Sequence, residues 1–145
     1  METSNVKSKI FYTGGFLYNP KTRSVLLHFR DDKTPNNPNK WAFFGGTSEG
    51  QESPKECFAR ELQEELGIKV AEEEIQSVCD YLNVDRGTWR YTFYVESDKE
   101  KSEMTLGEGA DFDWIPLEKV FEYDLTDKTV RDLKTFIQTC LNGKT

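Results

Sequence analysis

Residues 46–68 read GTSEGQESPKECFARELQEELGI, and this stretch carries the strongest helix signals in the chain. Residues 53–56 form a capping box with proline at the first helical position. Gly67 stands where a helix ends in a left-handed residue. These signals predict a helix from about Pro54 to Leu66.

The segments on either side of this helix have the hydrophobic patterns of strands and of two further helices. Strands are predicted over residues 9–18, 24–30, 41–44, 75–84, 89–95 and 112–115. A turn at residues 19–22 joins the first two strands into a hairpin. A short helix over residues 116–123 and a terminal helix over 127–141 follow. Because each element must bury one apolar face, we expect a mixed sheet with helices packed on it, of class α/β (α+β).

The bulk composition sets limits on size, location and partners. A chain of 145 residues with 36% hydrophobic residues fits one folded domain over residues 1–145, and no apolar run is long enough to cross a membrane. The N-terminus has no secretory pattern and the three cysteines have no metal spacing, so we expect a cytoplasmic protein. A net charge of -7 disfavours long nucleic acid as a partner and favours a small molecule. A homodimer, the commonest oligomer of soluble proteins, is compatible with the sequence.

The predicted helix places three glutamates close together. With about 100° of rotation per residue, Glu61, Glu64 and Glu65 occupy one arc of the surface. The apolar stripe beside them consists of Phe58, Ala59, Leu62 and Leu66. Like charges at this spacing repel, and a folded protein tolerates them when the face is solvated or when cations bridge them. A solvated acidic surface is therefore one interpretation, and a site for Mg²⁺ or Mn²⁺ is the other.

The residues around the glutamates separate these two interpretations. Gly46 is followed by five free positions, Glu52, seven free positions and then RELQEELGI over residues 60–68. This pattern resembles the signature of the Nudix hydrolase family, MutT-like members included, at every defined position. A random window would match it at roughly one in a hundred million. The resemblance implies a Nudix-type mixed β-sheet sandwiched between helices, with a catalytic loop-helix-loop at residues 46–68.

What the resemblance implies for the site is a divalent-metal centre. Matching the motif position by position makes Glu61, Glu64 and Glu65 the metal-ligand candidates, with Glu61 acting as or supporting the general base. The carbonyl of Gly45 would point towards the metal. Glu108 lies in a segment similar to one in which some MutT-like members supply another ligand or a base, although a solvated loop acid is an equal alternative.

Two further residues of the motif are expected to support the catalytic glutamates. Glu52 and Arg60 match family positions that are usually regarded as organisers. A carboxylate and a guanidinium can pair with bidentate geometry, and such a pair would tie the loop to the helix.

Substrate contacts are predicted outside the motif. A nucleobase needs a flat apolar surface, and the aromatic residues that could supply it are Tyr12, Trp41, Phe44, Tyr91 and Trp114. Most aromatic residues are core residues, and that is the commoner explanation for each of these. Arg30 follows a predicted strand and could bind a phosphate or a sugar.

These observations lead to a hypothesis with two alternatives. The chain is expected to hydrolyse, with Mg²⁺ or Mn²⁺, a phosphoanhydride bond in a nucleoside diphosphate linked to another group. An ordinary or oxidised nucleoside triphosphate, cleaved to monophosphate and diphosphate, is the first choice of substrate. The alternatives are a nucleotide-sugar or dinucleoside-polyphosphate pyrophosphatase and a non-catalytic module that senses a nucleotide.

Overall fold

A computed structural model describes residues 10–32, 38–107 and 111–142. These residues contain seven strands: β1 (Phe11–Asn19), β2 (Ser24–Phe29), β3 (Trp41–Ala42), β4 (Phe44–Thr47), β5 (Ile75–Asn83), β6 (Thr88–Glu96) and β7 (Asp111–Pro116). The α-helices are α1 (Pro54–Leu66), α2 (Leu117–Val120) and α3 (Asp127–Thr135). Single 3₁₀ turns cover Glu72–Glu74 and Lys101–Glu103, and a π-helical turn over Phe136–Leu141 continues α3. In the described part of the chain, none of the helices combines the length and apolarity that a membrane span requires.

The boundaries of α1 follow from its sequence. The Ser53 hydroxyl accepts a hydrogen bond from the Glu56 amide, and the Glu56 carboxylate accepts one from the Ser53 amide at 2.8 Å. Gly67 ends the helix with φ of 68°, and its amide donates to the Gln63 carbonyl. The predicted helix and both of its caps are confirmed.

The sheet is built around a hairpin whose two strands, β1 and β2, separate away from their turn. β1 and β2 pair only near their turn, for example at Leu17 and Leu26. Beyond that point β4 pairs with β1, with Gly45 opposite Gly14, and β3 pairs with β2, with Ala42 opposite His28. The segment from β3 to β4 is therefore inserted between the two strands of the hairpin, and it brings the start of the 46–68 segment into the middle of the sheet.

Further strands complete a mixed sheet. β6 runs parallel to β1 along its length, β5 pairs antiparallel with β6, and β7 pairs antiparallel with β2. Alternate residues of each strand face opposite sides. The predicted mixed sheet with helices packed on it is thus confirmed as an α+β fold.

The two faces of the sheet bury separate apolar layers. On one face, Phe58, Leu62 and Leu66 of α1 pack over Leu17 and Phe93. On the other face, Leu133 and Phe136 of the C-terminal helix pack over Phe16, Val25 and Tyr94. The 46–68 segment and the C-terminal helix consequently lie on opposite sides of the sheet.

One predicted helix ends earlier than expected, and the terminal helix reaches its predicted end at Leu141 with a change of geometry on the way. The helix predicted over residues 116–123 stops at Val120, and Phe121 and Tyr123 beyond it are partly exposed, so a longer helix would bury little more apolar surface. The terminal helix leaves α-helical geometry after Thr135.

Candidate active site

Two adjacent glycines bring β4 close to the glutamates of α1. A side chain on Gly46 would place its Cβ 2.4 Å from Oε2 of Glu61, so the carboxylate lies directly against the backbone. Gly45 has φ of 149°, and a Cβ there would lie 2.0 Å from the Thr13 carbonyl oxygen. The Gly45 amide donates a hydrogen bond to Oε2 of Glu65 at 3.2 Å. Gly45 is required by its close approach to the β1 backbone, whereas a side chain on Gly46 would displace the Glu61 carboxylate.

Arg60 gathers the carboxylates of this region around one guanidinium. Nε donates to Glu52 at 2.5 Å and Nη2 donates to the other Glu52 oxygen at 3.1 Å, so the predicted bidentate pair is confirmed. Nη1 donates to Glu61 at 3.1 Å and to Glu64 at 3.2 Å. Nη2 also reaches the Thr47 carbonyl at 3.2 Å. One side chain therefore connects the loop, the end of β4 and the acidic arc of α1.

These contacts shift the pKa values of Glu52 and Arg60. The hydrogen bond from Arg60 is the main cause that lowers the pKa of Glu52, and the Glu49 amide adds to it. The same pair raises the pKa of Arg60, which stays a cation. The nearby Cys57 thiol is buried, and burial raises its pKa to about 11. Cys57 is therefore a neutral thiol at physiological pH, unsuited to act as a nucleophile.

The three glutamates are neighbours, but they are not arranged as a metal-ligand set. Among the described residues, no three His, Cys, Asp or Glu side chains are grouped closely enough to hold an ion. Arg60 takes the position between Glu61 and Glu64, while Glu65 accepts from the Gly45 amide. The repulsion expected between these carboxylates is thus relieved by a guanidinium. The set of donors, all carboxylate and carbonyl oxygens, is nevertheless the kind that Mg²⁺ and Mn²⁺ prefer. Glu108, the further ligand candidate, lies outside the described residues.

A cleft of about 810 Å³ opens on the other face of the sheet. Its lining includes Tyr12, Arg30, Phe43, Thr47, Arg90 and Lys128. The carbonyl of Thr47 accepts from Arg60, so the cleft and the glutamate loop share a wall.

Tyr12 lies between the cleft and the glutamates. Its pKa is raised, first by burial, and the charges of Glu65 and Glu61 raise it further. Arg90 and Arg30 act in the opposite direction. The Tyr12 hydroxyl therefore interacts electrostatically both with the acidic arc of α1 and with the basic groups of the cleft.

The structure separates the predicted substrate residues. Arg30 lines the cleft. Phe44 is completely buried and stacks on His28 with ring centroids 5.3 Å apart. A ring without exposed surface has no face to offer a nucleobase, so the structure contradicts the prediction for Phe44. The sequence did not reveal this, because β4 continues through residues predicted to lie in a loop and turns Phe44 towards α1.

The remaining aromatic candidates lie apart from one another. Trp41 packs between the rings of Phe29 and Tyr123, at centroid distances of 5.2 and 5.8 Å. Tyr91 packs on Phe93 in the layer beneath α1. The indole of Trp114 donates to the Lys99 carbonyl at 3.0 Å. Of the described residues that line the cleft, none is one of these three, and their role as substrate contacts stays a prediction without structural support.

A second charged centre, which the sequence patterns did not single out, lies behind the cleft. Asp132 of α3 is completely buried, and its Oδ2 accepts from Nε of Arg90 at 3.1 Å and from the Thr92 hydroxyl at 2.7 Å. One signal could have revealed it. Helical spacing places Asp132 on the same side as Leu133 and Phe136, and an acidic residue on an apolar stripe needs a buried partner.

Comparisons with known proteins identify the family and the fold. The sequence model of the NUDIX domain family matches residues 11–140. A MutT structure from work on Aliivibrio salmonicida and Vibrio cholerae is similar, with a TM-score of 0.72, 22% identity and coverage of 90% of this chain and 99% of that one. The NUDIX domain of Shewanella oneidensis NrtR, complexed with ADP ribose, has a TM-score of 0.71 and 16% identity over 97% of this chain and 94% of that one.

A longer protein also shares the fold. The bifunctional NMN adenylyltransferase/ADP ribose pyrophosphatase of Francisella tularensis, complexed with AMP and a Mn ion, has a TM-score of 0.69 and 22% identity. The match covers 92% of this chain but only 42% of that one. At these identities the three likenesses establish the fold.

Proposed function

Because the chain belongs to the NUDIX domain family and is a Nudix hydrolase, we propose that it hydrolyses a phosphoanhydride bond of a nucleoside triphosphate, ordinary or oxidised. The products would be the nucleoside monophosphate and diphosphate. The observation that carries this proposal is the shared wall between the glutamate loop and the cleft, where Arg60 bonds both to Glu61 and to the Thr47 carbonyl. Phosphates at the loop would leave the nucleoside end of a substrate at the cleft.

The glutamates are assigned to the chemical step. Glu61, Glu64 and Glu65 and the Gly45 carbonyl are the groups that would hold Mg²⁺, or Mn²⁺ as in the Francisella tularensis protein. A bound divalent ion neutralises phosphate oxygens and lowers the pKa of an attacking water. Glu61, whose carboxylate lies against the Gly46 backbone, is the residue proposed to accept a proton from that water or to support the group that does. Glu108 is retained as a candidate for a further ligand.

Arg60 and Glu52 are assigned a supporting role. Their bidentate pair fixes the loop to α1, and Nη1 of Arg60 holds Glu61 and Glu64 in one place. Because Arg60 itself lies among the carboxylates, the arrival of a cation would require those glutamates to turn away from its Nη1 group. Arg30, in the cleft wall, is the candidate for a phosphate or ribose contact.

A substrate screen tests the proposal. Purified protein is incubated with nucleoside triphosphates, their oxidised forms, ADP-ribose, nucleotide sugars and dinucleoside polyphosphates, with Mg²⁺, with Mn²⁺ and with EDTA. We expect metal-dependent release of diphosphate and monophosphate from a nucleoside triphosphate. If ADP-ribose alone is turned over, it replaces the nucleoside triphosphate as the proposed substrate. If nucleotides bind but none is turned over, the remaining alternative is a nucleotide-sensing module. Turnover that EDTA leaves unchanged would contradict the metal mechanism.

A further inference from the structure

Asp132 is the acceptor for four donors that come from two strands. The Thr92 hydroxyl lies 2.7 Å from Oδ2, Nε of Arg90 lies 3.1 Å from the same oxygen, and the Tyr81 hydroxyl lies 3.1 Å from Oδ1. The Cys79 thiol lies 3.7 Å from Oδ1. A completely buried carboxylate is costly unless it is paired and hydrogen-bonded, and every side-chain contact of Asp132 serves that need.

Two of the donors around Asp132, Tyr81 and Cys79, keep their protons at neutral pH. Burial, followed by the charge of Asp132, raises the pKa of Tyr81 to about 12 and that of Cys79 to about 11. A carboxylate, which only accepts, suits this set of donors. An amide in the same place would turn its own N–H groups towards at least one donor.

Arg90 is held at one end and reaches the cleft at the other. Its Nε is bound to Asp132, and its Cζ lies 5.3 Å from the Tyr12 ring centroid and 6.0 Å from that of Phe43. Among the described residues, Arg90 makes its side-chain hydrogen bond through Nε and not through its terminal amino groups, and no fully buried side-chain nitrogen or oxygen lacks a partner. Since Arg90 is 7% exposed and lines the cleft, these amino groups are at the cleft surface.

The charge of this centre indicates what Arg90 recognises. Asp132 compensates the guanidinium directly, so the pair offers planar hydrogen-bond donors with little net positive charge. Such donors suit a neutral acceptor edge, in which a carbonyl oxygen stands beside a ring nitrogen, better than a phosphate. The rings of Tyr12 and Phe43 lie beside the guanidinium. The N–H groups along its edge are therefore the part of Arg90 that can donate hydrogen bonds to a ligand.

We propose that Asp132 is a positioning residue that holds Arg90 so that its terminal amino groups select a nucleobase by its acceptor edge. The choice of a nucleobase as the ligand rests on the proposed function. Asp132 and Arg90 would then form a specificity-determining centre on the opposite face of the sheet from the glutamate loop.

Equilibrium binding without metal tests this inference separately from catalysis. Calorimetry in EDTA gives the affinities of four nucleoside monophosphates with different bases and of ribose 5-phosphate, which has no base. The proteins compared are wild type, Asp132→Asn, Arg90→Lys and the double variant. Asp98→Asn, an exposed surface change, is the matched control.

We expect the wild type to distinguish among the bases. Each single variant should lose about five- to a hundredfold in affinity for the preferred nucleotide, as for a recognition bond left without its partner. Ribose 5-phosphate should bind all proteins alike. Because Asp132 acts through Arg90, adding Asp132→Asn to Arg90→Lys should change the base preference no further.

Three results would overturn the inference. They are an unchanged base preference in Arg90→Lys, an equal loss for ribose 5-phosphate, and no binding of any nucleoside monophosphate by the wild type. If Asp132→Asn does not fold, Arg90→Lys, which keeps the charge but loses the planar donors, decides alone. A base preference that depends on Arg90 in a protein without turnover would leave this inference standing while the proposed hydrolysis fails.

Discussion

The protein has an arginine-carboxylate centre on each face of its sheet, and the two are built in different ways. Arg60 lies on one helix with Glu61 and Glu64, and Glu52 is only eight positions away. Asp132 is joined to Arg90 over 42 positions and to Tyr81 over 51. The first centre is partly open to solvent, with Arg60 side-chain exposure of 22%, whereas Asp132 has none. A local centre leaves a motif in the sequence, and a centre assembled by the fold does not.

The largest expected effect is a loss of turnover when the glutamates beside Arg60 are changed, because only that centre is assigned to the chemical step. Glu64→Gln and Glu65→Gln should each lower turnover by about two to four orders of magnitude, because each removes a charge proposed to hold the metal. Folding should be little affected, since glutamine has a similar helix propensity. Steady-state kinetics and thermal unfolding measure both, with Glu73→Gln as the exposed control. Metal-dependent turnover at the wild-type rate in both variants would reject the catalytic assignment.

The next effect is a difference between the two centres in how much each contributes to the free energy of unfolding. Asp132→Ala leaves Arg90 without its buried counter-charge and should cost about 3–5 kcal/mol in the free energy of unfolding. Glu49→Ala, which removes an exposed carboxylate 3.6 Å from Arg60, should cost less than about 1 kcal/mol. Urea unfolding of the two variants measures the difference. Equal losses of unfolding free energy in the two variants would contradict the expectation that the buried centre contributes more to stability than the exposed one.

The smallest effect concerns pH at the local centre. The folded pKa of Glu52 is held below its ordinary value of 4.5, first by its bond from Arg60. Its contribution to stability is therefore complete above about pH 4.5 and is lost as the pH falls through the lowered folded pKa. The difference in unfolding free energy between wild type and Glu52→Gln should be constant near neutrality and should shrink in acid. A difference that stays constant throughout a urea series from neutral to acidic pH would contradict this.

The comparison also explains what could be predicted from the sequence. The helix over Pro54–Leu66 was predicted to the residue because its capping box and Gly67 are local signals. The pair of Glu52 and Arg60 followed from the same segment. Phe44 was misassigned because the direction of its side chain is set by pairing with Gly15 on β1, which is distant in sequence. Arg90 was missed for the same reason, since it becomes informative only when α3 is packed on β6. Asp132 had one local signal, its position as an acid on the apolar side of the helix.

The opening of the first hairpin has a consequence for how the protein folds. β1 and β2 cannot close along their whole length, because the strands from Trp41 to Thr47 occupy the space between their far ends. The early hairpin is thus completed only when the segment that begins at Trp41, 12 positions after the end of β2 at Phe29, arrives, and closing that loop has an entropic cost. Gly45 and Gly46 belong to the inserted segment. The backbone beside the glutamates should therefore become ordered together with the central sheet, in one cooperative step, and not as a loop that settles afterwards.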